Sequence, residues 1–174
     1  EKSVVAMRQI EPQLVQEMVK AGCVLIENQQ DIQRLVDLTV LPNGTPNKKF
    51  VGKNASVILD AAHIPYNGDP RLIIMRTPKD HPFAVIEMLM PILPVVTVDS
   101  FDEGLDVCLM LEAGLHHTAT MHSLNMERLN RMARKMKTSI FVKNGPSYAG
   151  LGFSGEGTTT FTIATPTGES TTSA

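Results

Sequence analysis

Few residue types in this 174-residue sequence could carry chemistry, chiefly two cysteines and five histidines. Cys23 and Cys108 lie far apart, so they form neither a paired-cysteine zinc motif nor a disulfide framework. Neither has a basic residue placed by the sequence to favour its thiolate, so both are predicted to be small core residues. No HExxH segment and no Asp/Glu/His cluster has ligand spacing, which predicts no metal site.

Two histidines and one glutamate are the remaining candidates. His116 and His117 straddle the boundary of a predicted strand, at the end where open α/β sheets tend to bind ligands, although a strand-edge histidine bonded to backbone is the favoured interpretation of either one. Glu87 interrupts an apolar stretch from Phe83 to Pro91. Because unpaired burial of a carboxylate is costly, Glu87 is either kept for a polar partner or solvated at a turn or on a helix.

The glycine-rich segment near the C-terminus matches a dinucleotide-binding fingerprint in its letters only. Gly150, Gly152 and Gly155 have the GxGxxG spacing, but that fingerprint needs a strand before the glycines and a helix opening at them. Here the glycines lead into the Thr-rich stretch 158–165, so we predict a close-packed loop followed by a strand.

The elements that must position these residues alternate between short apolar strands and helices of roughly 10 to 14 residues. This pattern predicts an α/β fold with a mostly parallel sheet and helices on both faces. We assign residues 1–157 to this domain and 158–174 to a C-terminal β arm, which is expected to pair with another sheet edge. Strands are predicted at 3–7, 23–26, 71–75, 95–98, 118–122, 139–142 and 158–165. Asp31 is predicted to cap the second helix, and the methionines at helical spacing in a later helix, Met126, Met132 and Met136, are predicted to fill a core.

Composition narrows the classes of function. A net charge of -2 argues against a nucleic-acid-binding protein, and no apolar run approaches the roughly 18 residues of a membrane span. The cysteine usage and the lack of a signal peptide favour a reduced, cytoplasmic protein. Because the sequence does not begin with Met, we expect it to be a fragment of a longer protein.

Three segments together resemble one family, the aldehyde dehydrogenases, and within it the CoA-acylating branch of propanediol and ethanolamine utilisation. Residues 87–96 (EMLMPILPVV) resemble the aldehyde dehydrogenase segment EIFGPVLPVV. Residues 114–123 (GLHHTATMHS) resemble the HTA segment of the acylating branch, and 139–152 (SIFVKNGPSYAGLG) with 155–168 (GEGTTTFTIATPTG) resemble its C-terminal signature. The resemblance covers essentially the whole chain and implies the C-terminal part of the catalytic domain.

The resemblance implies a parent enzyme that oxidises propanal or acetaldehyde to its acyl-CoA with NAD. A cysteine thiolate attacks the aldehyde, hydride passes to the nicotinamide, and the CoA thiol takes the acyl group from the resulting thioester. The nucleophilic cysteine is expected just before Glu1, and the cofactor-binding domain is also expected outside this sequence. Neither Cys23 nor Cys108 inherits the role, so this chain alone is expected to be inactive.

The resemblance also assigns roles to residues of this chain. Glu87 matches the glutamate that accepts hydrogen bonds from the nicotinamide-ribose hydroxyls, a task that suits an ionised carboxylate. Leu89 replaces the family's aromatic residue on the cofactor side, and His117 matches the histidine of the HTA segment, another cofactor contact. The loop that resembles the family's wall of the substrate tunnel contains Asn144, Ser147 and Tyr148.

The arm-like last strand favours a homodimer or homotetramer, and the resemblance implies packaging inside a bacterial microcompartment. Two other enzymes stay open, a hydrolytic aldehyde dehydrogenase and the aldehyde half of a bifunctional aldehyde–alcohol dehydrogenase. A non-catalytic α/β module that binds a ligand is an alternative of a different class. The chain length of the aldehyde and the choice between NAD and NADP are left open.

Overall fold

The computed structural model of the chain describes residues 2–152, which fall into two compact units divided in the chain after Gly104. The predicted strand at 158–165, the predicted boundary at 157 and Gly155 lie outside the described residues. In the described part, no helix is long and apolar enough to cross a membrane. Residues 2–152 also contain no group of three His, Cys, Asp or Glu side chains that could hold a metal ion.

The first unit is built on a four-stranded, fully parallel sheet with strand order β1-β4-β3-β2. This confirms the predicted α/β class with parallel strands. The strands are β1 (Val4–Met7), β2 (Cys23–Leu25), β3 (Leu72–Arg76) and β4 (Ile92–Val98), and the helices are α1 (Glu11–Lys20), α2 (Gln29–Thr39), α3 (Ala55–Ala61) and α4 (Pro82–Val85).

Helices cover both faces of this sheet, as the sequence predicted. Alternate residues of a strand point to opposite faces, and β3 shows this directly. Ile73 and Met75 pack in one core cluster with the buried residues of α2, α3 and α4. Ile74 packs in a second cluster with Val15 of α1. The near-continuous apolar strands are therefore buried on both sides.

Two local predictions in this unit were wrong. Helix α2 is capped by Asn28, whose side chain accepts a hydrogen bond from the Gln30 N–H at 2.8 Å, whereas Asp31 lies in the first turn beside Arg34. Strand β4 was predicted to start after Pro94, but it contains that proline. β1 pairs with β4 only from Val95 onward. The N–H of residue 94 would therefore point to a side of β4 that has no strand hydrogen bond at this position, and a proline, which lacks this N–H, breaks none.

The second unit contains a two-stranded parallel sheet, in which Thr118 lies opposite Ile140 and Met121 opposite Lys143. Its amphipathic helix begins at the cap Asn125 and ends at Lys137, which adopts a left-handed conformation. Met132 and Met136 are buried together with Leu129, as predicted, whereas Met126 is 61% exposed, so its predicted core position was wrong. The elements are α5 (Phe101–Glu112, which begins in the first unit), β5 (Thr118–Met121), α6 (Met126–Met136), β6 (Ile140–Lys143) and a 3₁₀ helix (Ser147–Leu151).

Candidate functional site

Glu87 lies in the six-residue connection between α4 and β4, at the amino end of a central strand. Its side chain is exposed, and within residues 2–152 its carboxylate has no hydrogen-bond or ion-pair partner. The next residue, Met88, is 3% exposed and belongs to the core cluster under α2 and α3. The connection is therefore anchored by Met88 and leaves Glu87 with free acceptor atoms facing solvent.

The start of the same connection is fixed by α4. Phe83 and Ala84 of this helix are fully buried. His81 caps the helix, because its Nδ1 accepts a hydrogen bond from the Phe83 N–H at 3.2 Å. Burial lowers the pKa of His81, which keeps the ring neutral and able to accept.

Leu89 follows with a backbone angle φ of 52°, in the left-handed region that leucine rarely adopts. Its side chain is 66% exposed. Its carbonyl oxygen accepts a hydrogen bond from the Gly52 N–H at 3.0 Å. The structure thus brings Leu89 and Glu87 together on one exposed segment, and it adds Gly52, which no local sequence signal indicated.

His116 is bonded to backbone, as one of the two sequence interpretations proposed. Its Nδ1 lies 3.3 Å from the Met136 carbonyl oxygen, its N–H donates to the Glu112 carboxylate, and its carbonyl accepts the Ser139 N–H at 2.9 Å. This histidine joins the ends of α5 and α6 to the start of β6. That is a structural task.

His117 directly precedes β5, and its Nδ1 lies 2.7 Å from the Thr118 hydroxyl oxygen. Both histidines lie at the amino end of this parallel strand. The sequence-based argument that they occupy a ligand-binding strand end was therefore wrong, since open sheets bind ligands at carboxyl ends. The cofactor contact of His117 stays a prediction that rests on the resemblance.

Asn144 follows β6 and forms a two-bond clamp on Ser123. Its Oδ1 accepts the Ser123 N–H at 2.7 Å, and its Nδ2 donates to the Ser123 carbonyl at 3.0 Å. Its own N–H donates to the Met121 carbonyl at 2.9 Å, and its φ is 54°. The amide is thus committed to tying the loop after β5 to the end of β6, and its substrate contact stays a prediction.

The 3₁₀ helix carries Ser147 and Tyr148, and Tyr148 is 57% exposed. This helix returns alongside β6. A Cβ atom placed on Gly145 would lie 3.3 Å from a methyl of Val142, and one on Gly150 would lie 2.5 Å from Cγ2 of Ile140. The return brings the 3₁₀ helix toward the end of the small sheet where His117 lies, and away from Asn144.

Neither cysteine has the environment of a nucleophile. Burial raises the pKa of Cys108 to about 11. Burial also raises the pKa of Cys23, and the positive charge of Arg71 opposes this shift. Both thiols are thus held in the protonated, unreactive form at neutral pH. Both side chains are only half-buried, so the prediction that they are core residues is not fully met.

Ion pairs occupy the opposite edge of the large sheet, where its strands end. Arg76 donates to the buried carboxylate of Glu11 at 2.7 Å and to Glu27 at 3.1 Å. Arg8 and Asp99, which follow β1 and β4, form an exposed pair at 2.5 Å. No pattern in the sequence marks this network, because each charge looks like an ordinary surface residue until the strands are aligned. Of these pairs, the one between Arg76 and Glu11 fastens the start of α1 to β3.

No family model matches the chain, but the individual proteins that it resembles are of one kind. Over 175 residues, the chain is 52% identical to the propanal dehydrogenase (CoA-propanoylating) of Citrobacter freundii. The aligned region covers all of this chain and 38% of the relative. The propionaldehyde dehydrogenase of Rhodopseudomonas palustris, with bound CoA and an acylated cysteine, has a TM-score of 0.91 and 44% identity over 99% of this chain and 39% of its own.

A third protein, the propionaldehyde dehydrogenase of a fucose utilisation bacterial microcompartment of Clostridium phytofermentans, has the same TM-score of 0.91, with 41% identity over 99% of this chain and 39% of its own. These matches confirm the α/β fold and the resemblance seen in the sequence. The chain spans about two fifths of the length of each protein it matches.

Proposed function

Because this chain is homologous to part of the CoA-acylating aldehyde dehydrogenases, we propose that it forms the C-terminal part of the catalytic domain of such an enzyme. The reaction is the oxidation of propanal or acetaldehyde to its acyl-CoA. A cysteine outside this chain binds the aldehyde, NAD accepts the hydride, and the CoA thiol removes the acyl group from the cysteine thioester. This chain supplies contacts to the nicotinamide cofactor and to the substrate.

The observation that carries the proposal is the position and freedom of Glu87. It projects from the amino end of β4, and β1 lies beside β4 in parallel, with Val4 opposite Val95. A nucleophile just before β1 would therefore lie at the same sheet edge as Glu87. Within the described residues this carboxylate is unpaired, so both of its oxygens are available to two neighbouring ribose hydroxyls.

The remaining contacts come from the second unit. His117 is half-buried, and Tyr148 is exposed on a 3₁₀ helix that packs tightly on β6. We assign His117 to the cofactor side, and the segment from Asn144 to Tyr148 to the wall of the substrate tunnel. Asn144 acts there by holding the segment in place, because its amide is engaged with Ser123.

The test is an assay of the full-length protein with propanal, CoA and NAD, followed by NADH absorbance and propanoyl-CoA formation. Glu87→Gln should raise the KM for NAD by roughly 10- to 100-fold, since hydrogen bonds to a charged group contribute about 1.5–3 kcal/mol. Glu127→Gln is the matched control, because Glu127 is also an exposed carboxylate. NADH formation that does not need CoA would instead identify a hydrolytic enzyme, and no NADH formation would refute both.

The non-catalytic module is tested on this chain alone. Calorimetry with NAD and with CoA should give weak binding of both if the cofactor domain lies elsewhere in the parent enzyme, and tight binding of either would favour a self-sufficient module. We also propose a homodimer or homotetramer inside a bacterial microcompartment, supported by the microcompartment origin of a similar enzyme. The mass of the native full-length protein tests the oligomer, and co-purification with shells tests the packaging.

A further inference from the structure

The backbone beside Glu87 is held in a strained conformation that packing of the side chain does not explain. Leu89 has a φ of 52°, yet its side chain is 66% exposed, so little apolar contact compensates for the strain. Two features hold it instead. Met88 is anchored in the core at 3% exposure, and the Gly52 N–H donates to the Leu89 carbonyl at 3.0 Å.

The turn that contains Gly52 is itself firmly attached to the unit. Asn47 donates from its N–H to the Thr39 carbonyl at 2.7 Å and from its side chain to the Leu38 carbonyl at 2.9 Å. The carbonyl of Asn47 accepts the N–H of Phe50, whose side chain is 2% exposed. A continuous set of bonds thus runs from the end of α2 through this turn to Leu89.

We propose that Leu89 is a positioning residue, whose left-handed backbone, tied to Gly52, directs the Glu87 carboxylate toward the cofactor ribose. The inference rests on the function proposed above, in which Glu87 binds the nicotinamide ribose. It assigns the role of Leu89 to its backbone, whereas the resemblance to the family assigns that position to a side chain packed on the cofactor. The two roles predict opposite rankings of two variants.

Leu89→Val keeps an apolar side chain, but a β-branched residue strongly disfavours a positive φ. Leu89→Asn loses the apolar side chain, but asparagine is enriched in the left-handed region. If the backbone positions Glu87, Leu89→Val should raise the KM for NAD about tenfold with kcat nearly unchanged, and Leu89→Asn should raise it by a clearly smaller factor. Leu89→Gly should behave like the asparagine variant, because glycine also adopts a positive φ.

Coupling to Glu87 gives the second measurement, made in the same full-length enzyme. In a Glu87→Gln background, Leu89→Val should raise the KM for NAD no further, because its effect passes through the missing carboxylate. If Leu89→Val does not fold, Gly52→Ala takes its place. The φ of 69° at Gly52 disfavours alanine, and no atom within 4 Å would clash with the new Cβ. The same KM rise, again abolished by Glu87→Gln, is expected.

Two results would overturn the inference. One is the reverse ranking, in which Leu89→Asn raises the KM for NAD and Leu89→Val does not, because the leucine side chain would then make the contact with the cofactor. The other is an undiminished effect of Leu89→Val in the Glu87→Gln background. Failure of the proposed function is separate and is seen first, since the wild-type enzyme would then form no NADH from propanal and CoA.

Discussion

The close approach of the 3₁₀ helix to β6 predicts that Gly150 tolerates no side chain. Gly150 is not among the glycines with a positive φ, so alanine there meets no backbone penalty. Its Cβ, however, would lie 2.5 Å from Cγ2 of Ile140, which is only 7% exposed and has little room to move. Gly150→Ala should therefore destabilise the fold by about 1–3 kcal/mol through overpacking. A protein of this size should lose roughly 2–4 °C in Tm for each kcal/mol.

The assay is thermal unfolding followed by circular dichroism, with two matched variants. Gly145→Ala places its Cβ 3.3 Å from Val142, a milder contact, so its effect should be smaller. Ile140→Leu removes the methyl branch from Cβ at nearly constant volume, so alone it should destabilise the fold by less than about 1.5 kcal/mol. In the double variant it should offset much of the destabilisation caused by Gly150→Ala, because the clashing methyl is gone. A Gly150→Ala protein as stable as wild type, or additive effects in the double variant, would refute the close approach.

Three further predictions concern other parts of the chain. Because burial raises the pKa of Cys108 to about 11, its alkylation by iodoacetamide should be slow at pH 7 and should accelerate about tenfold per pH unit up to that pKa; fast labelling of the native protein would contradict this. Asn144→Ala removes both hydrogen bonds to Ser123 and strains a positive φ, so urea unfolding should show a loss of about 1–3 kcal/mol, of which Asn144→Gly recovers the conformational part. The lowered pKa of His81 means that its contribution to stability, present above its ordinary pKa of 6.5, is lost as the pH falls from there toward the lower folded-state pKa. Between pH 7 and 5, the free energy of unfolding should fall less steeply in a His81→Asn variant, because asparagine also caps a helix but does not titrate.

The elements themselves were largely predictable, because runs of β-branched and aliphatic residues mark buried parallel strands. Strands β1, β2 and β3 lie within a residue of their predicted bounds. The cap of α2 was misplaced by three residues, since Asn28 and Asp31 are both good caps and periodicity does not choose between them. Pro94 was assumed to precede its strand, because the register that makes a proline harmless depends on where β1 begins.

The candidate site was less predictable from local pattern. Composition left the role of Glu87 open, and only the resemblance assigned it a function. The contacts that build the site join distant positions, such as Asn144 with Ser123, 21 residues away, and Gly52 with Leu89. The spacing of apolar residues reports the face of one element and carries no information about which loops meet. Such bonds therefore had to come from the structure.

The edge of the large sheet at which Glu87 lies is itself informative. General reasoning about open parallel sheets places ligands at the carboxyl ends of strands. In this unit that edge carries ion pairs, with Arg76 bound to Glu11 and Glu27. The amino edge instead carries an exposed, unengaged carboxylate at Glu87, held on a connection that is anchored on both sides. If that edge binds the cofactor, neutralising Arg76 should lower stability and leave the KM for NAD unchanged. A rise in KM without a loss of stability would move the site to the carboxyl edge.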